Sequence, residues 1–277
     1  MKSVLTVVVL VVLGAVALRL LVLALEPRAA FFPLRGEQET PAEYGLEYER
    51  VALRTADGET VAAWWIPGPA DAPEILFLHG NGGNLSLWSD VIAGIGREGW
   101  SVFALDYRGY GLSTGAPSEQ GLYRDADAFL EEFWARRHRP GRPVIYWGRS
   151  LGATVAAYMT TRRRPSALVL EAPFYSARTL ISGDPVMWLL ARFMSYRLET
   201  AAFLRGFPGP TLIVHGDADR IVPLRQGRRV FDALGGAKRM AVVPGAGHND
   251  LHVASPDLYW RELRRFVADP AEGSSLE

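Results

Sequence analysis

The sequence predicts an α/β fold in which a mostly parallel, doubly wound sheet carries helices on both faces. From residue 74 to residue 266, short apolar strands alternate with helical stretches, and this alternation is typical of parallel sheets whose two faces are both covered. Within it, residues 144–158 join a buried strand to an Ala-rich helix through a sharp turn of the form Gly-x-Ser-x-Gly. An apolar N-terminal segment precedes the sheet.

That N-terminal segment is long enough to cross a bilayer. Residues 4–25 are apolar except for Thr6, Gly14 and Arg19. As a helix they extend about 33 Å, against a hydrocarbon core of about 30 Å. Arg19 lies near the end of the segment, where a long side chain reaches the interface. We therefore expect residues 1–25 to form a single-pass transmembrane anchor.

A cleaved signal peptide is the alternative for the same segment. Lys2 precedes the apolar run and residues 15–17 form a cleavage-like Ala-Val-Ala, but the run continues to Leu25, which is longer than a signal peptide requires. Under the positive-inside rule, Lys2 and the terminal amine before the segment compete with Arg28 and Arg35 after it. Of the two orientations, we expect the one with the N-terminus in the cytoplasm and the domain on the extracytoplasmic side.

The remainder of the chain divides into a linker, one domain and a tail. Residues 26–45 contain prolines and glycines and are expected to link the membrane to the domain. The domain is expected over residues 46–268, followed by a polar tail over residues 269–277.

The domain opens with a predicted β-hairpin. Residues 46–55 and 59–67 alternate between apolar and polar residues on either side of Asp57-Gly58. This pattern predicts a β-hairpin that forms an antiparallel first edge of the sheet. The later predicted strands are 74–78, 101–105, 144–147, 167–170, 211–214 and 239–243. Apolar residues at helical spacing predict helices near 87–98, 120–138, 223–234 and 256–266, together with the one that follows the Gly-x-Ser-x-Gly turn.

Residues 173–207 interrupt this alternation with an apolar helical insert that contains Met187-Trp188-Leu189-Leu190. Because the insert lies where the loops of a doubly wound sheet gather, we expect a small helical cap over the functional site. The alternative is a helix that packs on the core.

Composition excludes several classes of function. Lys plus Arg and Asp plus Glu both number 30, so bulk charge gives no reason to expect a nucleic-acid partner. The chain has no cysteine, which excludes disulfides, zinc–thiolate sites and a cysteine nucleophile.

The Gly-x-Ser-x-Gly turn makes Ser150 the candidate nucleophile. Such a strand-to-helix turn holds the serine in a strained conformation that exposes its hydroxyl at the helix N-terminus. Gly148 and Gly152 are small because a side chain there would collide with the neighbouring strand and helix.

A serine hydroxyl needs a base, and His248 is the predicted one. His248 lies in a loop directly after the last strand, at the carboxyl edge of the sheet where doubly wound folds gather their sites. His252, with Asp257 five residues further on, has an acyltransferase-like spacing and is the alternative. The remaining histidines are expected to be structural (His79 and His215, each at a strand end) or solvated at a helix end (His138).

The predicted acid is Asp219, in the loop after the penultimate strand. Asp217 in the same loop is expected to form the turn. Glu171, which directly follows the preceding strand, is the second candidate carboxylate. The chain order Ser150, Asp219, His248 is the order of the α/β-hydrolase fold.

Two backbone donors are expected to form the oxyanion hole. Leu151 N–H directly follows the nucleophile, and Asn81 lies in the glycine-rich loop of residues 79–83 after the strand of residues 74–78. These glycines do not indicate a phosphate-binding loop, because no Gly-Lys-Ser/Thr follows them.

Together these motifs resemble those of the serine hydrolases of the α/β-hydrolase superfamily. The resemblance covers residues 46–268 and includes His79-Gly80-Asn81-Gly82-Gly83-Asn84, Asp106-Tyr107-Arg108-Gly109-Tyr110-Gly111, the turn at Ser150, the Asp219 loop and Gly247-His248-Asn249-Asp250. More narrowly, the chain is similar to the single-pass, membrane-anchored α/β-hydrolase-domain proteins. The resemblance implies that Asp106 and Arg108 are structural, and that neither a cofactor nor a metal is needed.

The expected function is therefore a membrane-anchored serine hydrolase of carboxylic esters or thioesters. The resemblance implies lipid-like substrates such as monoacylglycerols, lysophospholipids or S-acylated proteins. The expected partners are this acyl substrate and the bilayer; no motif indicates an oligomeric state. The alternatives are a non-catalytic membrane-anchored scaffold, or a short-chain esterase or peptidase of the same fold. Ser150 argues against the superfamily's dehalogenases, which use an aspartate nucleophile.

Overall fold

The structure, a computed structural model, describes residues 2–182 and 185–271. The strands are β1 (Phe32–Pro33), β2 (Glu49–Arg54), β3 (Thr60–Ile66), β4 (Glu74–Leu78), β5 (Gly82–Gly83), β6 (Ser101–Leu105), β7 (Val144–Arg149), β8 (Ala167–Glu171), β9 (Thr211–Gly216) and β10 (Lys238–Val243). The α-helices are α1 (Lys2–Ala30), α2 (Ser89–Arg97), α3 (Glu119–Glu132), α4 (Leu151–Arg162), α5 (Ala177–Ile181), α6 (Pro185–Leu190), α7 (Thr200–Phe203), α8 (Leu224–Ala233), α9 (Leu251–Ala254) and α10 (Pro256–Ala268).

One eight-stranded sheet forms the centre of the molecule, in the order β10-β9-β8-β7-β4-β6-β3-β2. The six strands from β10 to β6 are parallel, while β3 pairs antiparallel with both β6 and β2. Strands β4, β6, β7 and β8 are buried along their whole length. This is why they are almost continuously apolar, since both of their faces pack against helices. The predicted parallel sheet with an antiparallel first edge is confirmed.

Helices cover the two faces of the sheet with separate apolar cores. One core contains side chains of α3, α4 and α8, including Phe129, Val155 and Val230. The other contains side chains of α2 and α10, including Val91 and Leu263. Burying each of these side chains contributes roughly 1.5–3 kcal/mol to the hydrophobic free energy of folding. The three layers fix the carboxyl ends of the parallel strands along one edge.

The stretch predicted as a single helix over residues 120–138 has two parts. Ser118 caps the start of α3 by accepting a hydrogen bond from Gly121 N–H, as its short polar side chain favours. The α-helix ends at Glu132 and a π-helical turn follows over Phe133–Arg137.

The N-terminal helix α1 is the one helix in the described part of the chain that is long and apolar enough to cross a membrane, by its length and composition. It continues past the apolar run to Ala30. Residues 26–45, predicted as a linker, lie on the domain, because β1 pairs with β5 and Arg35 bridges to Gly111.

The insert predicted over residues 173–207 contains α5, α6 and α7. Helix α7 packs on α4, and Thr200 Oγ1 lies 2.7 Å from Thr154 Oγ1. Trp188 and Leu189 of α6 are exposed instead. One part of the insert therefore packs on the core and another faces outward, and its role as a cap stays a prediction. Residues 272–277 of the predicted tail lie outside the described residues.

Candidate active site

Ser150 occupies the strained turn between β7 and α4. Its φ of 52° and ψ of −110° lie in a region that costs a non-glycine residue about 1–3 kcal/mol. A Cβ on Gly148 would overlap the Gly152 carbonyl, and one on Gly152 would overlap the Leu78 carbonyl. The glycines thus allow the tight strand-to-helix approach that holds the serine in this conformation.

The structure brings Ser150, His248 and Asp219 into one hydrogen-bonded line. His248 Nε2 lies 3.0 Å from Ser150 Oγ, and His248 Nδ1 lies 2.7 Å from Asp219 Oδ2. The three residues follow β7, β10 and β9, whose carboxyl ends share one edge of the sheet. With a proton on Nδ1, the imidazole presents an unprotonated Nε2 to the serine hydroxyl.

Asp219 is buried and kept ionised by its neighbours. Burial raises the pKa of its carboxyl, but hydrogen bonds from His215 and His248 outweigh this and hold the pKa well below its ordinary value. Oδ1 also accepts hydrogen bonds from the Ile221 and Val222 amides, at 2.9 and 2.8 Å. The negative charge is thus available to stabilise a protonated imidazole.

Glu171, the second candidate acid, takes a different role. It forms a buried ion pair with Arg149, with Nη1 2.9 Å from Oε2, and its other oxygen accepts hydrogen bonds from Trp147 and Tyr259. Asp219, and not Glu171, is therefore the carboxylate that contacts His248.

Arg149 links this ion pair to the histidine loop. Its Nη2 donates to the His248 carbonyl at 2.9 Å, and its guanidinium lies 4.4 Å from the centroid of the Trp88 ring. Arg149 is not among the residues predicted from the sequence, because it occupies a variable position of Gly-x-Ser-x-Gly. Its signal was a charged residue at the end of a strand that is otherwise apolar.

The predicted oxyanion donors flank Ser150. Strand β4 lies beside β7, and a Cβ on Gly80 would lie 3.8 Å from Ser150 Cβ. The loop that carries Asn81 therefore adjoins the serine, and Leu151 opens α4 directly after it. The Asn81 side chain holds the loop: its Nδ2 donates to the Ala30 carbonyl at 2.8 Å and its Oδ1 accepts from the Tyr110 hydroxyl at 2.9 Å.

The other histidines are not members of this line, although His215 lies beside Asp219, with Nε2 3.5 Å from Oδ2. His252 contacts Asp90 at 2.8 Å instead of forming the alternative pair with Asp257. His79 contacts Asp106, and His215 contacts the Val222 carbonyl. The expectation for His138 was wrong, because its ring is mostly buried against Trp134 and contacts Glu74 at 2.6 Å rather than being solvated.

The remaining motif residues hold the framework. Arg108 pairs with Asp125 and Asp57, both at 2.8 Å, and Asp106 accepts a hydrogen bond from the Leu85 amide. Asp217 accepts one from the Gly245 amide. Across residues 2–182 and 185–271, no group of three His, Asp or Glu side chains has the arrangement of a metal site. The absence of a cofactor stays a prediction.

A serine on a strand-to-helix turn of this mostly parallel sheet defines a hydrolase of the α/β class. The family model described as serine aminopeptidase, S33, matches residues 70–206. An uncharacterised protein of Mycobacterium tuberculosis is 32% identical over 270 residues, which is 96% of each chain. An uncharacterised membrane protein of Saccharomyces cerevisiae is 32% identical over 244 residues, 85% of this chain and 84% of that one. The chain belongs to the α/β-hydrolase family.

A solved structure extends the likeness in fold. An esterase of Pyrococcus furiosus superposes with a TM-score of 0.72 over 86% of this chain and 97% of that chain. The two share 19% sequence identity, so this likeness concerns the fold.

Proposed function

We propose that the protein is a membrane-anchored serine hydrolase that cleaves carboxylic esters or thioesters through an acyl-enzyme. The observation that carries the proposal is the line from Ser150 Oγ to His248 Nε2, 3.0 Å, and from His248 Nδ1 to Asp219, 2.7 Å. This is the distance range in which a base takes a proton from a nucleophile.

The chemistry proceeds in two halves. Ser150 Oγ attacks the acyl carbon while His248 Nε2 takes its proton, and the imidazolium then gives that proton to the departing alcohol or thiol. In the second half, His248 takes a proton from water, which attacks the acyl-enzyme and releases the acid, and Ser150 regains its proton. Asp219 holds the imidazole in the required tautomer and stabilises its positive charge.

The Leu151 and Asn81 amides are the proposed donors to the oxyanion. One such donor contributes about 10²–10³ in kcat, because it is aimed at charge that develops only in the transition state. The N-terminus of α4 adds a favourable dipole at the same place. Both amides are held by elements that flank Ser150.

Lipid-like acyl chains, as in monoacylglycerols, lysophospholipids or acylated proteins, are the proposed substrate class. Support comes from the apolar span of α1 and the apolar side chains of the insert. The yeast relative is described as a membrane protein. We further propose that α1 stays uncleaved as a single-pass anchor and that the domain lies on the extracytoplasmic side.

A peptidase is the second candidate, because the matched family model is described as a serine aminopeptidase. The same serine, histidine and aspartate would also catalyse hydrolysis of an amide bond. A non-catalytic scaffold has less support, since nucleophile, base and acid are all present and in hydrogen-bonding distance.

The test is hydrolysis of p-nitrophenyl esters from acetate to palmitate in detergent, with aminoacyl p-nitroanilides alongside. We expect the wild type to prefer medium or long chains. Ser150→Ala and His248→Ala should each lose about 10⁴-fold or more in kcat, and Asp219→Asn should lose about 10⁴-fold, since it leaves the wrong tautomer. Matched controls are His252→Ala and Asp217→Asn, which should stay within a few-fold of the wild type.

The outcomes separate the candidates. Cleavage of only the acetate and butyrate esters would contradict the lipid-like substrate class and would indicate a short-chain esterase. Cleavage of anilides alone would favour the peptidase. If neither esters nor anilides turn over, and a fluorophosphonate does not label Ser150 of the folded protein, the proposal of a serine hydrolase is wrong.

A further inference from the structure

The exposed large apolar side chains of the domain gather on one edge of the sheet. In the part of the chain that the structure describes, they lie in segments that follow the parallel strands: Leu87 after β4, Leu112 after β6, Trp188 and Leu189 after β8, Ile221 after β9 and Val253 after β10. Phe32 and Leu34, also exposed, lie on the segment that pairs with β5 beside the same loops. We call this surface the apolar edge. It contains the carboxyl ends of the strands, where Ser150 lies.

The anchor helix ends at the apolar edge. The buried carboxylate of Glu26 accepts hydrogen bonds from the Ser195 amide and hydroxyl and from the Tyr196 amide, at 2.6–2.9 Å. At the last residue of α1, the Ala30 carbonyl accepts from the Asn81 side chain. The end of α1 therefore contacts both the insert and the loop beside Ser150, which places the exit from the membrane next to the site.

The insert also contacts α1 within the apolar span, before its last residue. Arg19 donates to the Phe193 carbonyl at 3.0 Å. Arg19 precedes Leu25, the last residue of the apolar run, by six residues, or about 9 Å along the helix. Val22 and Leu23, which lie between them, are only partly exposed. The insert therefore runs beside the last turns of the span, at the depth of the bilayer interface.

The chemistry of the insert suits that depth. Trp188 is 48% and Leu189 is 49% exposed on α6, and the Arg192 guanidinium lies 4.1 Å from the centroid of the Trp188 ring. Exposed Arg178 and Arg197 lie on the same insert. Tryptophan is enriched at membrane interfaces. In helices that lie in the interface, arginine binds lipid head groups while the apolar side chains of the same helix enter the acyl region.

We propose that the apolar edge lies on the bilayer surface, with α6 in the interface, so that the site opens to lipid and an acyl ester reaches Ser150 without crossing water. The inference rests on the proposed membrane anchoring. The opposite edge carries exposed arginines, among them Arg136, Arg139 and Arg164, which would also attract anionic lipid. Membrane contact through that opposite edge is disfavoured, because α1 ends at the apolar edge.

The test uses the absence of cysteine in the chain, which permits one labelled position per variant. Full-length Trp188→Cys, Leu112→Cys, Leu10→Cys and Arg164→Cys carry the fluorophore NBD and are reconstituted into vesicles of phosphatidylcholine and phosphatidylglycerol. Quenching by nitroxide lipids and by aqueous iodide is measured for each. Near-UV circular dichroism checks the fold, and fluorophosphonate labelling of Ser150 is scored separately as the readout of the hydrolase.

We expect labels at residues 188 and 112 to shift to the blue, to be quenched by nitroxide lipid and to lose quenching by iodide relative to residue 164. The label at residue 10 reports whether α1 lies in the bilayer. If residue 10 contacts lipid while residues 188 and 112 are quenched by iodide as strongly as residue 164, the inference is overturned and the anchoring stands. If residue 10 is also open to iodide, anchoring and inference both fail. Labelling of Ser150 decides the hydrolase in either case.

Discussion

At the scale of single residues, Asp219 shows how the site is maintained electrostatically. A buried carboxylate loses hydration, which raises its pKa, and here two histidines and two backbone amides outweigh that loss. The same contacts hold the loop after β9 in place. The charge proposed to orient His248 therefore also contributes to folding stability.

This coupling predicts a pH dependence of stability. The pKa of Asp219 in the folded state lies below its ordinary value of 3.8. Its ionisation therefore contributes stability that is present above about pH 4 and is lost as the pH falls through the folded-state pKa. We expect Asp219→Asn to lower the free energy of unfolding by about 1–3 kcal/mol at neutral pH. The difference should shrink progressively below about pH 4. The measurement is urea unfolding in detergent, followed by tryptophan fluorescence at several pH values.

A difference between wild type and Asp219→Asn that stays constant from neutral to acidic pH would contradict this prediction. In that case the side chain would contribute through packing or neutral hydrogen bonds, and not through its charge.

At the scale of elements, the Arg149–Glu171 ion pair joins three of them. Arg149 ends β7, Glu171 ends β8, and the His248 carbonyl bound by Arg149 belongs to the loop after β10. Both side chains are fully buried. Because a planar guanidinium donates in several directions at once, arginine can hold a carboxylate and a carbonyl together where lysine cannot.

We predict that Arg149→Met destabilises the protein by about 3–5 kcal/mol, since it leaves the Glu171 charge buried without its partner. The double variant Arg149→Met with Glu171→Gln should recover much of this stability. It should nevertheless keep a reduced kcat with little change in KM, because the His248 carbonyl stays unsupported in both variants. The measurement is urea unfolding together with steady-state ester hydrolysis.

Recovery of kcat in the double variant would show that Arg149 acts on stability alone. Arg149→Lys is a further comparison: it keeps the charge, and we expect it to retain the ion pair better than the contact to the His248 carbonyl.

The same elements show what could be predicted from the sequence. The strands of the eight-stranded sheet, its antiparallel first edge and the turn at Ser150 follow from local patterns: apolar runs, Asp57-Gly58 and Gly-x-Ser-x-Gly. The choice of His248 and Asp219 follows from one further rule, that loops after parallel strands meet at one edge. Each of these inferences needs only neighbouring residues and a known topology.

Contacts across long stretches of sequence could not be predicted in this way. Arg149 and Glu171 are 22 positions apart, and Glu26 and Ser195 are 169 apart. No local pattern distinguishes such a glutamate from one that faces solvent. For the same reason, residues 26–45 resembled a linker, although β1 and Arg35 tie them to loops of the domain.

At the scale of the whole molecule, helix α1 and the domain are joined structurally and not only through the chain. Glu26 is 5% exposed and Phe31 is 3% exposed. The Phe31 ring lies 5.4 Å from that of Tyr196 in the insert. The last turns of α1 are thus part of the domain's packing, while residues 4–17 are exposed and are apolar except for Thr6 and Gly14.

This arrangement predicts an uncleaved N-terminus. Cleavage after Ala17 would divide the apolar helix and leave residues 18–30 on the domain with an apolar surface and no membrane to cover it. We expect protein extracted from membranes to have the mass of the full chain and to stay in the membrane fraction after an alkaline carbonate wash. In Leu10→Arg with Val11→Arg, two charges at mid-span cost about 2.5–3.5 kcal/mol each, so this variant should pass largely into the soluble fraction. A mature chain that begins at Leu18 would instead identify a signal peptide, and the arginine variant would then change export and not the fractionation of the mature protein.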